Sequence, residues 1–472
     1  MKEFETEERT EKEETPDAVD SALKGQLSWN LYPGRRILKW VGLALLLLLL
    51  VFLLVKMIQA PADGVSLHPE STTVVREQPA PETESPEIET PANEQTETGT
   101  ESDPGTVEST AASDEALRFF APIEWLHANG QIPPAEERTP QESVTLLAVG
   151  DNLMHNTVMW AGQTAYGYNY NALYHYIKDD VQAADIACIN QETIFINDPN
   201  QFTNYPSFGG PVQIGEALID TGFDVIEHAT NHCYDKFTAG ITDTLNFWHQ
   251  HPEITVLGIH DSQEDADTIR VIVKNGIRIA FLNYTYGTNA GYPEKSYMID
   301  YLDDRKKIAA DIKKAKELSD FVIVFPHWGS ENTFTPNDSQ RQWAQFFADN
   351  GVGAVIGCHT HTLQPVELIT REDGVDMPVY WSLGNFISHM AHARNMLGGM
   401  AKLTISKDSY GAYASSVELV PTMTYGTHDN GKWEFYGMKL SDYNDYMAKH
   451  HLIDGTSVAE MEALYKSIIG ED

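Results

Sequence analysis

The chain has 472 residues, 42% of them apolar, which is enough for one large core with appendages. Its formal net charge of -37 excludes non-specific attraction to nucleic acid or to an anionic membrane surface, both of which draw on clustered Lys and Arg. Three cysteines, Cys188, Cys233 and Cys358, are an odd number set in apolar runs, so they exclude a disulfide framework and read as small buried side chains.

Residues 1–36 are predicted to be an acidic cytoplasmic tail, with Glu3, Glu5, Glu7, Glu8, Glu11, Glu13 and Glu14 forming a solvated run. Residues 37–58 read ILKWVGLALLLLLLVFLLVKMI, close to the ~20 residues a helix needs to cross a bilayer, and Lys39 and Lys56 stand where they can snorkel. Arg35, Arg36 and Lys39 crowd the N-terminal side, and the next basic residue after Lys56 is Arg76. The positive-inside rule therefore predicts a single-pass cell-membrane anchor with a cytoplasmic N-terminus and an extracellular main domain. A cleaved signal peptide is the rival, on the strength of Ala60-Pro61-Ala62; the 36-residue leader and the long apolar span favour an uncleaved anchor, and either arrangement exports the domain. Residues 59–115, dominated by Pro, Glu, Thr and Ser, are predicted to be a disordered stalk kept extended by proline and like-charge repulsion. Residues 116–142 form a pre-domain segment.

From Ser143 onward, short β-rich apolar runs alternate with stretches long enough for helices, which predicts a layered α/β domain over 143–425 and a C-terminal extension over 426–472. The runs are VTLLAVGD, ADIACINQE, FDVIEHATNH, TVLGIH, IRIAFLNYTY, FVIVFPHWGSE, GAVIGCHTH and PVYWSLGNF. Helices are predicted over 303–320 and 338–351, the second with Asp338 as N-cap and Gly351 at its C-terminal stop. Run after run ends in a polar residue: Asp151, Glu192, Asn231-His232, His327, and His359-x-His361. Ligand sites of open α/β sheets form outside the carboxyl ends of the strands, and adjacent strands lie ~5 Å apart, so Glu192, Asn231, His327 and His359 are predicted to surround one ion. Carboxylate, amide and imidazole together suit one or two divalent ions, Mn, Fe or Zn, and the lack of a Cys pair at zinc-ribbon spacing disfavours structural zinc.

Six motifs follow in order: Gly150-Asp151, Asn190-x-Glu192, Thr230-Asn231-His232, His327-Trp328-Gly329-x-Glu331, Gly357-x-His359-x-His361, and Ser382-Leu383-Gly384-Asn385-Phe386. This ordered set resembles the CapA-type poly-γ-glutamate capsule synthesis family, a branch of the calcineurin-like metallophosphoesterases. The resemblance implies a β-sandwich flanked by helices and a dinuclear centre. In it Glu192 bridges two metals, Asn231, His327 and His359 complete the second, and Asp151 and His361 serve the first. It also implies that His232, beside the ligand Asn231, stabilises charge or protonates a leaving group. Two departures stand out: the wider superfamily opens with Asp-x-His and bridges with aspartate, whereas this chain has Asp151-Asn152-Leu153-Met154-His155 and Glu192. His155 either replaces the missing ligand from one turn later or is a loop residue. Glu331 either orients His327 or touches substrate, and Asn385 is a site candidate at a strand end; Trp328 reads as packing, Gly329 and Gly384 as turns. The function implied is a membrane-anchored, extracytoplasmic, hydrolase-type metal protein of poly-γ-glutamate capsule synthesis or export. Its implied partners are an anionic envelope polymer and capsule synthase subunits. The alternative is a non-catalytic polymer-binding or assembly subunit of such a complex.

Overall fold

The computed structural model describes residues 132–471; the predicted tail, membrane span and stalk lie outside them. Among the described residues no helix is long and apolar enough to cross a membrane.

The chain first lays down β1 (Glu142–Asn152), α1 (Asn156–Ala161), a small hairpin of β2 (Gln163–Thr164) and β3 (Gly167–Tyr168), and α2 (Lys178–Ala183). Next come β4 (Ile186–Asn190), α3 (Gln213–Thr221), β5 (Val225–Glu227), α4 (Phe237–Trp248), β6 (Thr255–Leu257) and α5 (Gln263–Ala266). The second half opens with β7 (Arg270–Lys274), β8 (Ile277–Thr285), α6 (Arg305–Leu318), β9 (Phe321–His327), α7 (Asp338–Asp349) and β10 (Ala354–Ile356). It continues through β11 (Val366–Thr370), β12 (Asp376–Tyr380), β13 (Asn385–Ile387), β14 (Leu397–Asp408), β15 (Gly411–Asp429) and β16 (Lys432–Lys439), and ends on α8 (Asp445–His450) and α9 (Val458–Ile469).

Two mixed sheets result. The first runs β16-β15-β14-β1-β4-β5-β6, with β13 also paired to β1, and the second runs β11-β12-β10-β9-β8-β7. Within them β1, β4, β5 and β6 are mutually parallel, as are β8, β9, β10 and β12. Side-chain parity builds the layers. On β1, Val144, Leu146 and Ala148 face the second sheet and meet Ile279, Phe281, Ile323, Phe325 and Ile356, forming the inter-sheet core. Leu147 and Val149 face the other way, onto Ile214, Ala217 and Leu218 of α3 and Phe247 and Trp248 of α4. The outer face of the second sheet, including Leu282, Val322 and Val324, is covered by Ile308, Ile312 and Ala315 of α6 and by Ala344 and Phe347 of α7. The result is a helix–sheet–sheet–helix sandwich, as the layered α/β reading expects. Each of the larger fully buried side chains contributes about 1.5–3 kcal/mol of burial energy.

Two expectations need correction. α7 begins at Asp338, but its N-cap is Asn337: the Asn337 side chain accepts from Gln340 N, and Gln340 Oε1 accepts from Asn337 N at 3.0 Å. This reciprocal pair satisfies two donors that an Asp338 cap would leave open. Likewise, the domain boundary placed at 425 falls inside β15, whose residues Thr422–Asp429 pair with β16, so 426–439 belongs to the first sheet.

Candidate metal centre

Because both sets of parallel strands present their carboxyl ends at the same edge of the sandwich, the polar residues that terminate them meet. Asp151 is the penultimate residue of β1, Glu192 follows β4, Asn231 and His232 follow β5, His327 ends β9, and His359 and His361 follow β10. Asp151 and Glu192 are fully buried, at 0% exposure, and His327, His359 and His361 are at most 3% exposed. Ligand atoms of Glu192, His327 and His359 lie within 4.8 Å of one another, and so do those of Asp151, Glu192 and His361, with Glu192 common to both groups. Glu192 Oε1 is 3.8 Å from His327 Nε2 and 3.7 Å from His361 Nε2. Asn231 Oδ1 joins the first group at 3.0 Å from His327 Nε2, and His361 Nδ1 is 3.1 Å from Asp151 Oδ2. Two ligands each about 2.1 Å from a common ion are separated by roughly 3.0–3.4 Å, the spacing of Asn231 Oδ1 and His327 Nε2; His361, whose Nδ1 faces Asn385 Oδ1, turns Nε2 towards Glu192.

The donor set fits a divalent cation on a second ground. Both oxygens of Glu192 and His359 Nδ1 are buried without a hydrogen-bond partner, a costly arrangement that coordination would relieve. The proton balance agrees. Burial drives His327 and His359 well below the usual imidazole range, helped by neighbouring imidazoles, so both stay neutral and ready to ligate. Burial also opposes charge on His361, but the carboxylates of Glu192 and Asp151 outweigh it and raise the ring to about 10, so a proton sits where a cation would. Glu192 is itself pushed well above the usual carboxylate range by burial.

Local structure fixes these groups. A Cβ on Gly150 would stand 1.9 Å from Gly384 O, and Asp151 N donates to that same carbonyl at 2.8 Å, which explains why both Gly-containing motifs occur together. His359 and His361 adopt left-handed backbone, at φ 99° and 54°. Each costs about 1–3 kcal/mol for a non-glycine residue, and the strain aims both rings inward. Thr360 between them anchors the loop, donating to Thr362 O at 2.7 Å and accepting from the Ser382 hydroxyl at 2.8 Å. Asn385 Oδ1 lies 3.0 Å from His361 Nδ1, so Asn385 positions this ring from β13. Trp328 packs on Trp381, as its packing reading has it, and donates Nε1–H to Trp381 O.

His232 sits beside the centre, 4% exposed, with Nδ1 2.6 Å from Asp235 Oδ2; Asp235 also accepts from Phe208 N. That partner keeps a proton on Nδ1 and leaves Nε2 facing Asn289 Nδ2 at 3.4 Å. His155 is in neither ligand group: its Nδ1 accepts from His389 N at 3.1 Å and its ring meets Phe208 edge-on, at the rim. Glu331 is exposed, outside the ligand groups, though its charge bears on Glu192 and His361. Sequence reasoning gave no role to Asp235, three residues after His232, to Asn190, whose Nδ2 donates to Asp151 Oδ1 at 2.7 Å, or to Tyr286, whose ring lies 4.6 Å from His359. The spacing of a His and an Asp across one turn was the available signal for Asp235.

Comparison with known proteins gives this arrangement a family. The chain is 27% identical over 253 residues to the PGA biosynthesis protein CapA of Bacillus subtilis (strain 168), covering 52% of this chain and 63% of that one. It is 25% identical over 274 residues to the capsule biosynthesis protein CapA of Bacillus anthracis, covering 56% and 64%. The chain thus spans less than two thirds of either relative. Among solved structures it is similar to a putative 5'-nucleotidase from Staphylococcus aureus (17% identity, TM-score 0.38, covering 59% of this chain and 54% of that one). It is also similar to the calcineurin-like phosphoesterase YfkN from Bacillus subtilis (14% identity, TM-score 0.36, covering 60% and 91%). The profile of the bacterial capsule synthesis protein family PGA_cap matches residues 145–390, over half of the chain, and so the chain belongs to that family.

Proposed function

We propose that this protein is a metal-dependent hydrolase of the cell envelope that cuts a phosphoester or an amide in an anionic capsule polymer, with poly-γ-glutamate the polymer suggested by the relatives' names. The observation that carries the reading is the pair of ligand groups sharing Glu192. Asp151 and His361 would hold one divalent ion (Mn, Fe or Zn), Asn231, His327 and His359 the other, and Glu192 would contact both. When bound, such a pair supplies Lewis acidity and a water of near-neutral pKa. The chain's own residues do the rest. Asn385 and Asn190 hold His361 and Asp151 in orientation. His232, steadied by Asp235, stands beside Asn231; carrying a second proton on Nε2, taken up from solvent, it would stabilise developing charge or pass that proton to the leaving group and return to the Nδ1–H form. The expected cytoplasmic N-terminus, membrane anchor and stalk would place this site outside the cell, within reach of envelope polymer and of synthase subunits.

The test uses the full chain in detergent with manganese, assayed on bis(p-nitrophenyl) phosphate, on γ-glutamyl p-nitroanilide and on poly-γ-glutamate. Turnover on one of these should fall at least about a hundredfold in Glu192→Ala and in His359→Ala. Unchanged turnover in both variants, or none in the wild type, defeats the reading.

A further inference from the structure

Seven arginines lie in the described residues, and six are already committed. Arg138, Arg270, Arg278, Arg341 and Arg371 pair with Asp408, Asp265, Asp320, Glu367 and Asp373, and Arg305 lies over the rings of Trp343 and Phe346. Arg394 is the exception. It is half-buried, yet among the described residues its one side-chain hydrogen bond runs from Nε to Asn332 Oδ1 at 3.5 Å and no carboxylate comes within ion-pair distance of it. An arginine offers five donors in a planar fork, so most of this guanidinium is uncommitted.

Its place in the fold gives that spare fork a purpose. The neighbouring Asn395 is fully buried and donates Nδ2–H both to His361 O at 2.9 Å and to Asn332 Oδ1 at 2.9 Å. Asn385, which orients the His361 ring, donates to Asn395 O at 3.0 Å. Asn332 in turn donates its backbone N–H to Thr360 O at 2.7 Å, between the two histidines of the ligand loop. Arg394 is therefore fixed to the loop that carries His359 and His361, on the side where Asn332 and exposed Glu331 form the rim. A cation held there without a counter-ion, in a chain of net charge -37, is a local exception to the repulsion an anionic ligand would meet.

We propose that Arg394 is the anion-recognition residue of this centre: its guanidinium grips an oxyanion of the substrate, a carboxylate or a phosphoryl group, next to the bond presented to the metal ligands. The assignment rests on the hydrolase reading above and deepens it by requiring the substrate to carry a negative group beside the scissile bond. A bidentate grip would fix that group's orientation as well as its charge, which lysine cannot do.

The experiment measures binding of inorganic phosphate and of glutarate to the manganese-loaded full chain by titration calorimetry, with manganese content determined separately, in the wild type, Arg394→Gln and Arg394→Lys. Arg394→Gln should weaken one or both anions by about ten- to a hundredfold at unchanged manganese content, and Arg394→Lys should recover part of the loss. Selective loss of glutarate assigns the carboxylate as the recognised group; selective loss of phosphate assigns the phosphoryl group. Equal affinity for both anions in the wild type and Arg394→Gln, at full manganese content, overturns the role of Arg394 and leaves the hydrolase reading standing. Failure of the wild type to hold manganese counts against the hydrolase reading instead, and the loss of anion affinity in Arg394→Gln is then still read on the metal-free chain.

Discussion

Glu192 has two buried oxygens and no hydrogen-bond partner for either, so its side chain has no structural role that a neutral isostere would fail to fill. Replacement by Gln should therefore leave the metal-free fold nearly as stable while removing charge from both ligand groups. We expect manganese content, read by elemental analysis, to drop sharply in Glu192→Gln and in His359→Ala; full occupancy in either would mean the clusters are not ligand sets. A second residue-scale expectation lies away from the centre. Burial works against charge on His260, but Asp265 at 3.0 Å and Asp300 at 2.8 Å outweigh it and raise its pKa to about 9, with Arg270 and Lys307 completing the network. A raised histidine stabilises the fold fully below its unfolded pKa of about 6.5 and loses that contribution as pH rises through about 9. Denaturant unfolding at pH 6 and pH 9.5 should differ by roughly 1–3 kcal/mol through this group, and His260→Gln should flatten the difference. Asp265, lowered to about 2 despite burial by its bonds to His260 and Arg270, adds the opposite arm: its stabilisation holds above about 4 and is lost as pH falls towards 2. At this scale the ligands were legible because each terminates an apolar run, whereas Asn190 acts through a hydrogen bond to Asp151, 39 residues away in the chain, and linear spacing carries little trace of such a contact.

Elements were legible where burial is continuous and obscure where it is not. β1, β4, β8 and β9 read as apolar runs because both faces are covered, one by the partner sheet and one by helices. The long hairpin of β14 and β15 did not, since the first part of β15 is mostly half-buried, with Ser415, Ser416 and Glu418 exposed, so no unbroken apolar run marks it. The cap of α7 was misplaced by one residue because Asn337 and Asp338 are both good capping types and only the reciprocal bond with Gln340 distinguishes them. Asn337→Ala should accordingly cost about 1 kcal/mol and Asp338→Ala a few tenths, read as shifts of the denaturant midpoint; the reverse order would restore Asp338 as the cap. Close approach of β1 and β13 gives a sharper case. Gly150→Ala would drive a methyl into Gly384 O and push apart the strands that carry Asp151 and Asn385, so we expect loss of metal content and a drop in thermal stability together. Retention of both would show that the strands yield.

On the scale of the whole molecule, the first sheet extends past the motif-bearing region. β16 pairs with β15 over Thr422–Asp429, and Gly437 lies against the Phe386 ring, in the strand that begins with Asn385. A chain ending at 425 should thus expose Met423 and Phe386 and lose cooperative unfolding, whereas one spanning 132–472 should keep it; a cooperative 132–425 fragment would contradict the pairing. No motif marked this extension, because its contribution is packing and its pattern is that of an ordinary antiparallel edge. The origin of the ligands has a mechanical consequence. Asp151, Glu192 and Asn231 arrive on the first sheet, His327, His359 and His361 on the second, and the apolar layer between the sheets has no direction of its own. A bound cation would convert that non-directional adhesion into a riveted seam: neither sheet could slide or open without giving up ligands. Occupancy is then spent on cohesion of the whole sandwich, adding about 2.7 kcal/mol at a hundredfold excess over Kd, and a chelator should loosen the two halves from each other before it unfolds either one.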